Sequence, residues 1–350
     1  SLETIIDVAY LYMDMGYPEK ALPWLTLGLE EYKENEEFLA AMADCYRSGE
    51  RNTKAISFYN KLIDKNPYNP SYWTGLAKCH FSQQEFDKAV EACDFALAAD
   101  DKFGEAHIIR AHSLFHLENE TEAIQEYQLA LQSKSLPPDF AHMFIGLAYA
   151  NQEKWELAYR SYEQAMEIIG DDNSPILSDI YSNEIFCLSK LGRYEEAHQL
   201  CEKAKKQLPE SVEIYLQEGR LYLEEDKFEE AKQCWAVALQ YAPEAETLVQ
   251  IGNYSLDYGM VENARLCFEE AKKQDPDYPG INGRLASICM ILRDHKGFQK
   301  YNQMSETPLN IEMIQEMLSQ NTDKDILQNL ETFMNELDDV NDGETEEENN

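Results

Sequence analysis

Two apolar stretches of helical period flank a short polar turn between Phe140 and Ala165. Small residues stand at Gly146, Ala158 and Ala165, and rings at Tyr149 and Tyr162. Apolar positions recurring every three to four residues fall on one face of a helix, so the stretch predicts two amphipathic helices joined by a tight turn. The same pattern returns along nearly the whole chain. An alanine marks the second helix at Ala21, Ala55, Ala89 and Ala123, at intervals of 34 residues, and the series continues at Ala158, Ala197, Ala231 and Ala264.

Seven residues beyond each marker lies a second small residue: Gly28, Ala96, Ala130, Ala165, Ala204, Ala238 and Ala271, with Leu62 the exception. A bulky or sulfur-bearing residue comes between the two: Leu25, Tyr59, Cys93, Tyr127, Tyr162, Cys201, Trp235 and Phe268. The first helix of every unit but the sixth carries its own small residue, at Ala9, Ala43, Ala77, Ala111, Gly146, Gly219 and Gly252. Helices approach to about 8–10 Å only where the side chains at the crossing are small, with larger neighbours filling the grooves beside them. Gly16, Gly49, Gly192 and Gly259 follow first helices, where a positive φ ends a helix at little cost. Pro67, Pro209, Pro243 and Pro276 follow second helices and stop propagation.

This combination of length, small residues, rings and prolines, in register over eight units across residues 2–276, resembles the tetratricopeptide repeat. The resemblance implies an all-α, right-handed superhelical solenoid of antiparallel helix pairs. It also implies that the first helix of each pair lines a concave groove that takes peptides or protein segments. A degenerate ninth unit is expected over 277–308, with Ala286 as its small residue and a short second helix from Phe298 to Met304. Residues 309–337 read as two amphipathic helices. The first, Leu309 to Ser319, carries Ile311, Ile314 and Leu318; the second, capped by Thr322, carries Ile326, Leu330, Phe333 and Leu337. Covering the last apolar face of the array is their expected role, with docking of the last helix in the groove as an internal pseudo-ligand the alternative. The stretch 338–350 holds seven acidic residues and almost nothing apolar, which predicts a disordered acidic tail.

Departures from the pattern occur around the sixth unit. Ile185 replaces the small residue, and Gly170 to Pro175 is an insertion, either a joint between the fifth and sixth units or a surface loop on a continuous array.

Composition narrows the function. The 350 residues are 44% hydrophobic and 27% charged, enough apolar material for a packed core. With 66 Asp and Glu against 30 Lys and Arg, the formal charge is −36, which repels phosphate backbones and anionic lipid surfaces. A basic protein segment, by contrast, is drawn in faster, and the competing expectation is a solvated acidic surface that keeps an elongated protein soluble. The eight cysteines have no Cys-x-x-Cys spacing, and Cys45, Cys79 and Cys187 share one repeat position while Cys93 and Cys201 share another, as small reduced hydrophobes would. Reduced thiols and the lack of a membrane-length apolar run favour the cytoplasm, although the chain begins at Ser1, already inside a helical pattern.

No phosphate-binding loop, dinucleotide fingerprint, nucleophile elbow or His-Glu-x-x-His motif occurs, so the chain reads as noncatalytic and without a cofactor. His112 and His116, four residues apart, share a helix face, but no third or fourth ligand accompanies them, and no metal is expected. His107 and His142 read as packing residues, and Asn119-Glu120-Thr121 and Asn253-Tyr254-Ser255 as chance matches to the glycosylation pattern.

Within the family, one subgroup clamps a C-terminal carboxylate with Lys, Asn and Arg. Ile6, Tyr10, Ala41, Ser71 and Gly75 at the corresponding positions do not reproduce that clamp. The resemblance therefore places the partner-binding groove in the middle of the array. Its apolar members are Ile108, Phe115, Met143, Phe144, Leu147, Ala150 and Phe186, and its polar members His112, His116, Asn151, Asn183, Arg220 and Asn253, with Lys78 beside them. Burial of those apolar side chains between neighbouring first helices is the competing expectation. The chain reads as a scaffold or adaptor for a protein or peptide segment with hydrophobic anchors or basic character. The alternatives are a regulatory or targeting module of a larger enzyme, or a part of an envelope or secretion assembly.

Overall fold

The structure is a computed structural model that describes residues 1–170 and 174–309, together with Met313 and Thr332. Among the described residues there are eighteen helices and no strand. The chain divides into two compact units, Ser1–Arg193 and Tyr194–Asn350. The boundary lies in the turn after Lys190, not at the insertion.

The first unit runs α1 (Leu2–Asp14), α2 (Pro18–Tyr32), α3 (Glu36–Ser48), α4 (Asn52–Lys65), α5 (Pro70–Ser82), α6 (Phe86–Ala99), α7 (Gly104–His116), α8 (Glu120–Gln132), α9 (Pro138–Asn151), α10 (Trp155–Ile169) and α11 (Leu177–Lys190). In the second unit follow α12 (Tyr194–Gln207), α13 (Val212–Glu224), α14 (Phe228–Tyr241), α15 (Ala245–Asp257), α16 (Val261–Gln274), α17 (Ile281–Ile291) and α18 (His295–Gln303). Within the first unit each odd-numbered helix from α1 to α9 packs on the even one that follows, and each even one on the next odd helix. Odd helices also touch in sequence, α1 with α3, α3 with α5, and α5 with α7. In the second unit α13 packs on α14, α15 on α16 and α17 on α18.

The core is assembled from the repeat markers. Ala55, Ala89, Ala123 and Ala158 are fully buried, as are Leu25, Cys93 and Tyr162. One cluster joins α1 and α2 to α3 through Ile6, Leu25, Phe38 and Met42, and another joins α15 and α16 to α17 through Val249, Phe268 and Leu285. Each such fully buried large side chain contributes about 1.5–3 kcal/mol.

The turns show how the repeat is closed. After each odd helix one residue adopts the left-handed region: Gly16, Glu50, Gln84, Glu118, Glu153, Gly192, Asp226, Gly259 and Arg293, with φ between 56° and 77°. The next N–H then reaches back five residues to a helix carbonyl, from Tyr17 N to Tyr12 O (2.8 Å) through to Asp294 N to Cys289 O (2.8 Å). These bonds satisfy carbonyls that a helix end otherwise leaves open. Gly49 departs from the sequence expectation. Its φ is −89°, and Glu50 beside it takes the left-handed conformation. α4, α12, α14 and α16 each end two residues before Pro67, Pro209, Pro243 and Pro276.

α18 covers His295–Gln303, where the sequence predicts a short helix from Phe298 to Met304. The two amphipathic helices expected over 309–337, apart from Leu309, Met313 and Thr332, lie outside the described residues. So do the acidic tail and the centre of the insertion, residues 171–173.

Candidate functional site

Because α1, α3, α5 and α7 lie side by side, residues at equal repeat positions form columns across them. Tyr10, Asp44, Lys78 and His112 make one column at 34-residue spacing, and Glu37, Ser71 and Glu105 make another. Most of these residues face a groove of about 770 Å³ in the first unit, lined from α1, α3 and α5, with Glu105 from α7 at one end.

Asp44 organises the floor. Tyr10 Oη donates to its Oδ2 at 3.1 Å, and Tyr59 Oη, arriving from α4, donates to its Oδ1 at 2.6 Å. Arg47 adds a contact of 3.5 Å from Nη2 to Oδ1, and its Nε lies 3.4 Å from Tyr59 Oη. Burial first, and then the neighbouring Asp44 carboxylate, push the Tyr10 and Tyr59 phenols well above their usual range, so both remain donors.

Gly75 makes this arrangement possible. A Cβ there would lie 2.3 Å from Cε1 of Tyr59, so the missing side chain leaves room for the ring to cross toward Asp44. Mid-helix glycine costs about 1 kcal/mol relative to alanine, a cost that this close approach explains.

The groove is acidic. Its lining carries Asp14, Glu36, Glu37, Asp44 and Glu105 against Arg47 and Lys78. Both cations are held by carboxylates, Arg47 by Asp44 and Lys78 by Glu105 at 2.5 Å. Glu36 accepts a hydrogen bond from Tyr72 Oη at 3.2 Å. Among the described residues no cation lies within ion-pair distance of Asp14, Glu36 or Glu37, all of which are exposed.

The residues expected to form a mid-array groove are placed differently. Met143 is buried at 7% exposure, so it is core and offers no ligand surface. Ile108, Phe115 and Phe144 are half-buried and pack against the core shared by α7, α8 and α9. The Phe144 ring stacks on Tyr127 at 5.4 Å, and His112 meets it edge-on at 4.8 Å. His112 Nδ1 lies 2.8 Å from Tyr127 Oη. Burial, and then the nearby His116, pull the His112 imidazole down to about 4, so it is neutral near pH 7 and shares a hydrogen bond with the Tyr127 phenol. His116 is exposed and stacks on Phe86 at 4.5 Å.

Leu147, Ala150 and Asn183 are half-buried and Asn151 is exposed; Asn183 Nδ2 donates to its own helix at Asp179 O (2.7 Å). Phe186 packs edge-on against Trp155. Arg220 and Asn253 are half-buried residues of the second unit. Met143 is thus buried as the competing expectation has it, while Ile108, Phe115 and Phe144 pack part of their apolar surface against the core and leave part exposed. Among the described residues no cluster of three or more His, Cys, Asp or Glu is placed to hold a metal ion.

His107 is a packing residue, buried with its Nδ1 2.5 Å from Glu126 Oε2 and its Nε2 3.1 Å from Asp101 O. All eight cysteines are free, and burial pushes the Cys93 thiol up to about 12. No described helix is long and apolar enough to cross a membrane.

The lining residues Asp44, Glu36, Glu37, Arg47 and Tyr72 were not singled out from the sequence. For Asp44 and Glu37 the signal was the 34-residue columns they share with Tyr10 and with Ser71, visible once the repeat register is used to compare positions across units; Glu36, Arg47 and Tyr72 had no such signal.

Known proteins share this architecture. Residues 141–176 and 188–250 match tetratricopeptide repeat families, and residues 48–130 match the family described as anaphase-promoting complex, cyclosome, subunit 3. The chain carries tetratricopeptide repeats. It is 23% identical over 250 residues to anaphase-promoting complex subunit 7 of Dictyostelium discoideum, covering 70% of this chain and 41% of that protein. It is 22% identical over 275 residues to DnaJ homolog subfamily C member 7 of Homo sapiens, covering 73% and 56% respectively. The chain thus spans about half the length of these curated relatives. Among solved structures, a tetratricopeptide repeat protein from Parabacteroides merdae superposes with a TM-score of 0.58 at 19% identity, over 73% of this chain and 98% of that one. At that identity the likeness shows the fold.

Proposed function

We propose that the protein is a noncatalytic scaffold or adaptor that takes up a segment of a partner polypeptide in the groove lined by α1, α3 and α5 and closed at one end by Glu105 of α7. The groove itself carries the reading: about 770 Å³ of concave surface whose floor is fixed by the Tyr10, Asp44, Tyr59 and Arg47 contacts. A floor held by packing and hydrogen bonds needs little reordering on binding, so the ordering cost falls mainly on the ligand segment. Similarity to a subunit of the anaphase-promoting complex supports a place in a multi-protein assembly. Eight free thiols, most of them buried, fit a reducing compartment such as the cytoplasm.

This reading relocates the binding surface from the middle of the array to its first repeats. The test is selection of a displayed library of random 12-residue peptides on the intact chain, followed by binding of the selected peptides to Ser71→Trp. Ser71 is exposed and lines the groove, so the indole fills space without entering the core. Loss of at least tenfold in affinity, with the far-ultraviolet circular dichroism and Tm unchanged, is the expected result. Undiminished binding to the variant, or a library that yields no binder, sinks the groove.

A further inference from the structure

From the charge inventory of the groove we infer that the segment it receives is cationic, carrying lysine or arginine side chains that meet Asp14, Glu36 and Glu37. This rests on the groove reading above and adds the chemistry of the ligand. Arg47 and Lys78, the cations of the lining, are already neutralised by Asp44 and Glu105, while these three carboxylates stand exposed with no cation at hand among the described residues. Asp14 lies at the end of α1 and Glu36 and Glu37 at the start of α3, so the negative charge borders a floor of Tyr10, Ala40 and Tyr72.

That combination suits a Lys or Arg side chain, whose aliphatic stem lies along ring and methyl surface while its charged end reaches a carboxylate. Tyrosine faces add attraction for the same cation. An acidic occupant is opposed by the groove and by the chain as a whole, at −36. The chain's own acidic stretch at 338–350, with its seven carboxylates, is for that reason a poor occupant. A basic segment from another protein supplies the cations that these carboxylates lack and is steered toward them.

The test uses three fluorescein-labelled 12-residue peptides of net charge about +4, 0 and −4, otherwise matched, titrated into the intact chain by anisotropy. Three proteins are compared with the unaltered one. The first is Asp14→Asn with Glu36→Gln and Glu37→Gln. The second is Ser71→Trp. The third is a control with the same change of net charge, Glu19→Gln with Glu91→Gln and Glu167→Gln, whose exposed carboxylates lie outside the groove. The cationic peptide should bind most tightly, weaken about tenfold in the groove carboxylate variant and in Ser71→Trp, and change less than twofold in the control.

Equal affinity for all three peptides, or preference for the neutral or acidic one, overturns the charge inference. If that preferred peptide is still lost in Ser71→Trp, the groove reading survives. Cationic binding that falls equally in the groove and control variants, or is indifferent to Ser71→Trp, is diffuse attraction to an acidic surface and overturns both readings, as does failure of all three peptides to bind.

Discussion

The ring of Tyr162 occupies the space that a side chain on residue 146 would need: a Cβ on Gly146 would stand 2.6 Å from Tyr162 Cε1. The same relation recurs sixteen residues apart between Gly219 and Trp235 (2.2 Å to Nε1) and between Gly252 and Phe268 (2.4 Å to Cε1). Where the partner is smaller, as at Leu25 and Cys93, the corresponding position is Ala9 or Ala77. Tyr59 and Tyr127 coexist with Ala43 and Ala111, and both reach to other groups, Tyr59 to Asp44 and Tyr127 to Phe144 and His112. At the Gly146, Gly219 and Gly252 crossings, ring and glycine are two halves of one packing choice.

Gly146→Ala should therefore change sign with its partner. With Tyr162 in place, its ring fully buried, crowding of about 1–3 kcal/mol outweighs the roughly 1 kcal/mol that alanine adds to a helix. A net loss of about 1–2 kcal/mol is expected. In a Tyr162→Leu background, the combination that Ala9 and Leu25 already use, the same substitution should stabilise by up to about 1 kcal/mol. Chemical denaturation of the four proteins in a double-mutant cycle measures this, and equal effects in both backgrounds would show that the ring does not set the small residue.

The turn residues invite the opposite substitution. Glu118 sits at φ 58° although it carries a side chain, in the turn where Gly16, Gly192 and Gly259 serve elsewhere. Left-handed backbone costs an ordinary residue about 1–2 kcal/mol, while glycine gives back part of that through its freer unfolded chain. Glu118→Gly should raise stability by about 0.5–1 kcal/mol, read as a higher denaturation midpoint at unchanged slope. A fall in midpoint would contradict the turn geometry.

The repeat markers made the fold legible: Ala55, Ala89, Ala123 and Ala158 are buried, and prolines stand two residues past α4, α12, α14 and α16. Helix pairing follows a short-range pattern that one chain displays many times, so each unit corrects the reading of the next. The groove was less legible because exposure depends on neighbouring units. Phe144 looks like a ligand anchor within its own helix, yet Tyr127 of the preceding helix covers one of its faces. Gly75 falls outside the regular markers, and only the path of Tyr59 explains it.

His112 gives the fold an acid sensitivity whose sign is fixed by burial. Its imidazole is pulled down to about 4 in the folded protein, against an ordinary value near 6.5. Between those values the unfolded chain binds the proton and the folded chain does not, so stability present above about pH 6.5 is lost as the pH falls toward 4. Between pH 7 and 5 this group should account for about 1–2 kcal/mol of lost stability. His112→Gln, whatever its effect at pH 7, should flatten the pH dependence by that amount in denaturation curves. An unchanged slope would mean that His112 titrates as an exposed histidine.

Glu126 is a buried ionisable group whose removal tests the architecture. It is 9% exposed, yet it receives His107 Nδ1 at 2.5 Å and Arg110 Nη1 at 2.8 Å, while Arg110 also holds Asp94 at 2.8 Å. In the neighbouring repeats the equivalent sites carry Ala92 and Ser161, both buried. A small residue therefore suits the backbone, and the carboxylate is there for its two partners. Glu126→Ala strands a buried imidazole and half of a guanidinium contact, and should cost about 3 kcal/mol. Replacing His107 and Glu126 together by leucine removes both buried polar groups, and should cost less than Glu126→Ala alone. Thermal and urea denaturation of the two variants give the comparison. A double variant less stable than Glu126→Ala would mean that the pair stabilises α7 against α8 beyond what apolar packing at the same site supplies.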